Sequence, residues 1–75
     1  MASQGLKPSM TYTQDTAATV WNIEHGLNTL QPAINVWIPV NGVSTAIIPA
    51  EVRVIDSNNM RVTFTNPQSG TAVIN

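Results

Sequence analysis

Residues 33–40, AINVWIPV, repeat with a period of two. Ile34, Val36, Ile38 and Val40 point one way, and Asn35, Trp37 and Pro39 point the other. Successive side chains of an extended backbone leave on opposite faces, so this alternation predicts a strand half buried against a core. Asn41-Gly42 follows at once, between Val40 and Val43. Asn-Gly between apolar residues is a strong hairpin signal, because both residues accept the positive φ of a tight two-residue turn. Pro39 has no N–H to give to a ladder, which suits a strand end or an edge.

The rest of the chain reads in the same way. Residues 10–14 place Met10, Tyr12 and Gln14 on one face, and residues 19–24 place Trp21 and Ile23 on one face. Residues 44–48 return from the Asn-Gly turn and stop at Pro49. Residues 51–55 are expected to turn Val52 and Val54 inward, and residues 60–65 to turn Met60, Val62 and Phe64 inward. Residues 71–74 close the chain, after a turn at residues 66–70. No segment has a helical period. The expected class is all-β: a small antiparallel β-sandwich or barrel of about seven short strands. Residues 1–9 read as an extended N-terminal arm, and residues 10–75 as the β-domain. Should residues 51–55 and 60–65 pair across the polar turn, Arg53 and Arg61 face solvent together.

Size and charge narrow the function. A chain of 75 residues forms one domain and buries only roughly 60% of its unfolded surface. Small domains usually add disulfides, a metal or oligomerisation. There is no cysteine, and one histidine with four carboxylates makes a structural zinc site unfavourable. Oligomerisation or docking on a larger body remains. Charged residues make up 9% of the chain, against about 25% in an ordinary soluble domain. With a net charge of −1 there is no basic patch for phosphates, so no nucleic acid is expected as partner. Two readings fit the low charge: a Thr- and Asn-rich solvent face, or a surface that meets other subunits. No apolar run approaches the roughly 18 residues that span a membrane. The N-terminus lacks the apolar stretch of a signal peptide, so the expected place of synthesis and assembly is the cytoplasm.

Several short motifs occur in order. They are Thr13-Gln14, then Trp21, Ile23, His25 and Leu27 at alternate positions, then Asp56 and Asn58. Val62-Thr63-Phe64, Pro67, Ser69-Gly70 and Ala72 complete the series. Over residues 11–74 this frame resembles a small module of tailed-phage virion proteins, which occurs in capsid decoration, head-fibre and tail-fibre chains. The resemblance implies a β-sandwich building block with no chemistry attached to its shared residues. Two segments depart from the frame. Residues 43–49 are unusually apolar, and the arm before Tyr12 has no counterpart.

Single residues carry two readings each. Glu24-His25 would be an acid–base pair if the side chains met, but neighbours in a strand diverge. No triad spacing accompanies them, so no catalytic residue is expected. His25 is expected to end a strand and donate to a backbone carbonyl at the Gly26 turn, or to form a pH-sensitive contact. Asp15, Glu51 and Asp56 lack the spacing of a calcium loop, so no metal or cofactor is expected. Trp21, Ile23, Val36, Val62 and Phe64 are the expected core anchors. Trp37 stands opposite its strand's apolar face. It is an interface anchor, a packed residue or a glycan platform. Val43, Ala46, Ile47 and Ile48 make an apolar strand that needs cover on both sides, either from the arm of the same chain or from another subunit. They form the candidate subunit-contact strand, with Leu6 and Met10 of the arm region as further contact points.

The expected function is that of a non-enzymatic bacteriophage virion structural protein. The first choice is a capsid decoration (cement) protein that bridges shell subunits. Its partners would be the major capsid protein or another virion protein, and further copies of itself, most simply as trimers. The alternatives are a head- or tail-fibre module that binds a receptor or glycan, and a tail or neck adaptor.

Overall fold

The computed structural model describes residues 9–75, and the expected arm up to residue 8 lies outside the described residues. Five strands form one antiparallel sheet: β1 (Met10–Glu24), β2 (Ile34–Val40), β3 (Val43–Ile47), β4 (Glu51–Asp56) and β5 (Asn59–Ile74). No described residue is helical. β5 lies at the centre. β1 runs along one side of it for its whole length, from Met10 opposite Ile74 to Glu24 opposite Asn59. The other side of β5 is shared. Its C-terminal half pairs with β2, and its N-terminal half with β4. β3 then pairs with β2.

This corrects the expectation of about seven short strands. Residues 10–14 and 19–24 belong to one strand, β1, and residues 60–65 and 71–74 to another, β5. The expected turn at residues 66–70 is therefore part of β5. The ladder between the two long strands is irregular where the turn signals lie, between Gln14 and Val20 of β1 and between Thr63 and Gly70 of β5. Pro67 falls in that irregular stretch, where a missing N–H breaks no regular ladder.

The irregularity bends the sheet back over itself. Tyr12 and Trp21 belong to the same strand, and their ring centroids are 5.9 Å apart. A straight strand would separate residues nine positions apart by about 30 Å. Bulges are the usual device for such a bend. The two limbs then enclose one core: Trp21, Ile23, Met60, Val62 and Phe64 from one limb, and Val36, Ala72 and Ile74 from the other. Trp21 is fully buried, packs against Phe64 with ring centroids 4.7 Å apart and planes tilted by 57°, and donates its indole N–H to the Gln68 carbonyl at 3.0 Å. That bond ties the core to the bend. All five expected core anchors are buried.

Asn41 and Gly42 both have positive φ, at 52° and 80°, which is the two-residue hairpin turn that Asn-Gly favours. Val40 and Val43 flank it as a directly opposed pair. Hydrogen-bonded and non-bonded pairs alternate from there, so Pro39 opposite Ser44 falls at a non-bonded position. On its other side β2 pairs with β5 only as far as Trp37. Pro39 therefore sits where no N–H is required. Gly70 has a different role. A Cβ there would collide with the carbonyl oxygen of Trp37, so glycine is what allows β2 to approach β5 at that point.

Val52 and Val54 correct a second expectation. They share a face with Val62 and Met60, their partners in β5, but both remain substantially exposed. β4 is an edge strand, and the opposite limb does not extend over it. Arg53 stands directly opposite Arg61, on the outer face as expected. The like charges are relieved by separate partners: Arg53 pairs with Glu51 at 3.3 Å, and Arg61 donates Nε–H to Asn22 at 3.3 Å.

Candidate functional site

Exposed apolar side chains occur on β4 (Val52, Val54 and Ile55), at Val20 and Leu30, and on the β2–β3 hairpin with its exit, which holds the most exposed of them, Ile48. Trp37 is 40% exposed, Val43 63% and Ile48 95%, and Val40 beside the turn is also open. They do not share one face. Val40 and Val43 continue the inner face that Val36 and Ile47 define, whereas Trp37 opposite Ala46 lies on the outer face. The hairpin is thus apolar on both sides, as a strand covered twice would be. At its base an open pocket of about 410 Å³ is lined by Ile34, Asn35, Val36, Ala46, Ile47, Ile48 and Pro49.

Of the expected contact residues, Trp37, Val43, Ile47 and Ile48 are brought together on this hairpin and its exit. Met10 and Ile47 are partly buried and also pack against the core. Leu6 lies outside the described residues. Two contributors were not singled out in the sequence. Val40 looked like a core position because it continues the alternation from Ile34, yet it stands beyond the covering limb. The pocket at the hairpin base needs the tertiary approach of residues 48–49 to β2, which no local pattern encodes.

Glu24 and His25 are set apart by burial and by partner. Glu24 ends β1 and is exposed, while His25 is buried. His25 also departs from its expected bond. Its Nδ1 accepts the Leu27 N–H at 3.0 Å rather than donating to a carbonyl. Its Nε2 is buried without a protein partner. The corner is held instead by the β4–β5 turn. The Asn58 carbonyl accepts N–H groups of His25 and Gly26 at 2.8 and 3.2 Å, and the Ser57 carbonyl accepts that of Thr29 at 2.7 Å. The Asn58 side-chain oxygen accepts the Asn28 N–H at 2.8 Å. Gly26 and Asn28 meet it with positive φ.

Asp56 anchors the turn in its place. Its carboxylate accepts the Asn58 N–H at 2.9 Å and the Asn59 amide at 2.9 and 3.2 Å. The Asn58 backbone bond, then the Asn59 side-chain bond, hold its carboxyl below the usual aspartate range. A second open pocket, of about 330 Å³, lies beside this turn and is lined by Asn22, Glu24, Ile55, Asp56, Asn59 and Arg61 among others. Among the described residues no group of three or more His, Cys, Asp or Glu side chains converges as a metal site would. Among the same residues no helix is long and apolar enough to cross a membrane.

Comparison with protein-family models, curated proteins and solved structures finds no match to the chain.

Proposed function

We propose that this chain is a bacteriophage virion structural protein, and more narrowly a capsid decoration protein that binds the shell and bridges its subunits. One observation carries the reading. In a chain with 9% charged residues, a two-faced apolar hairpin leaves Trp37, Val43 and Ile48 uncovered. The motif series from Thr13 to Ala72 supplies the phage context by resemblance. The two packed limbs serve as a small β-sandwich, with the hairpin projecting from one limb.

The mechanism is adhesion. Burying one exposed aliphatic side chain contributes about 1.5–3 kcal/mol, and ordering the contact takes back part of that. Engaging two capsid subunits at once adds avidity. The partner is the major capsid protein or another virion protein, and the working location is the virion. Neither nucleic acid nor membrane is required, and no catalytic step is involved.

The test is to add purified protein to shells that lack it and to locate it on the particle by electron microscopy. Attachment to shells supports the proposal. Binding to fibres, or to sugars on a glycan array without binding to shells, replaces it with the second reading. That reading, a head- or tail-fibre module, draws on Trp37 lying half open on the same face as Asn35. Removal of residues 1–9 is expected to abolish attachment. Unchanged attachment would remove the arm from the contact.

A further inference from the structure

We infer that the open edge of β3 pairs antiparallel with β3 of a second copy around a two-fold axis at Thr45. Among the described residues, β1, β3 and β4 each have a single neighbouring strand and so an open edge. Open edges offer unpaired N–H and C=O groups, and proteins normally guard them with charge or proline. β1 carries Asp15 and Glu24, and β4 carries Glu51, Arg53 and Asp56. β3, VSTAI, carries no charge and no proline.

The register shows what the edge offers. Val43 opposite Val40 closes the two-residue hairpin and turns its backbone groups toward β2. Thr45 and Ile47 do the same by alternation. The N–H and C=O groups of Ser44 and Ala46 therefore face outward. A two-fold axis at Thr45 sets Ser44 against the partner's Ala46, and Ala46 against the partner's Ser44. Each couple exchanges both backbone bonds, so every outward group of β3 is answered.

The side chains agree with that register. On the inner face Val43 meets the partner's Ile47, and Thr45 meets its own copy, a favourable cross-strand pair. Ile48 falls opposite the partner's Gly42, where even a Cβ would meet nothing within 4 Å. No charge is opposed by a like charge. The other two edges keep their charges, so association stops at two copies. A three-fold grouping on a shell would need another surface.

The experiment uses the full chain in solution and is independent of any shell. Sedimentation is expected to give a mass of two chains at high concentration, falling toward one on dilution. Ser44→Pro removes an outward N–H while leaving the β2–β3 ladder whole, so it is expected to be monomeric at every concentration and to melt like the diluted, monomeric wild type. If S44P does not fold, A46K reads the same edge. The chain has no native cysteine, and directly opposed residues at a non-bonded pair lie about 4.5 Å apart, within disulfide reach. Thr45→Cys is therefore expected to form a covalent dimer under oxidising conditions, while Thr13→Cys on the β1 edge does not. The proposal is overturned by a wild-type mass of one chain at millimolar concentration. It is equally overturned by a species that S44P and A46K leave intact, or by T45C that fails to cross-link.

Discussion

His25 is the residue whose chemistry looks most available in the sequence and is least available in the fold. It is 5% exposed, and its ring serves the backbone by accepting the Leu27 N–H. His25→Ala removes that acceptor from a buried site, which costs about 1–3 kcal/mol. Chemical unfolding is expected to show this loss, and a stability unchanged to within 0.5 kcal/mol, about the level of a neutral surface substitution, would mean that the corner does not need the ring. Asp56, on the facing turn, makes stability depend on pH. Its folded carboxyl lies below the usual aspartate range because Asn58 and Asn59 bond the ionised form. A carboxyl depressed on folding stabilises above its unfolded value, and that stabilisation is lost as pH falls through the folded value. Unfolding midpoints of wild type and Asp56→Asn should therefore differ above the ordinary aspartate range and converge in acid. A gap that widens on acidification would reverse the sign and refute the assignment.

At the scale of elements, the local patterns were legible and their connections were not. The β2–β3 hairpin could be read to the residue at its turn and to within one residue at its strand ends, because Asn41-Gly42 fixes a turn type and the turn fixes the register. Gly42→Val places a β-branched side chain at φ 80°, and it is expected to lower stability by at least about 1 kcal/mol through backbone strain. Thermal melts check this, with Val43→Thr as a control outside the turn. The two long strands were misread for a physical reason. Pro67, Gly70 and the break in alternation after Gln14 are turn chemistry in any local window. In the fold they mark a bend, because each strand stays beside the other through the irregular stretch. Val52 and Val54 failed similarly, since alternation tells which face a residue takes and not whether anything covers that face. The candidate site was half legible. Trp37 and Ile48 stood out as apolar residues without a place in the core, whereas the open inner face at Val40 and the pocket below it depend on where the opposite limb stops.

Residues 9–75 are one sheet folded into two limbs, and the two tryptophans report on opposite sides of that arrangement. Trp21 is fully buried at the bend between the limbs, and Trp37 stands half open on the hairpin. In Trp37→Phe the remaining emission is expected to be blue-shifted and shielded from acrylamide, and in Trp21→Phe red-shifted and quenched. Similar quenching in both variants would contradict the fold-back. The same division separates folding from docking. Ile48 is 95% exposed, so Ile48→Asp removes no core contact and is expected to change stability by no more than about 0.5 kcal/mol. In an apolar contact, however, the new carboxylate would be desolvated without a partner, which is strongly unfavourable. Ile48→Asp is therefore expected to melt like wild type and to lose attachment to shells by at least about tenfold, the factor that corresponds to 1.4 kcal/mol. Shell-binding isotherms of the two proteins decide the matter. Equal affinities would place the attachment surface away from the β2–β3 hairpin, and leave its exposed apolar residues to self-association alone.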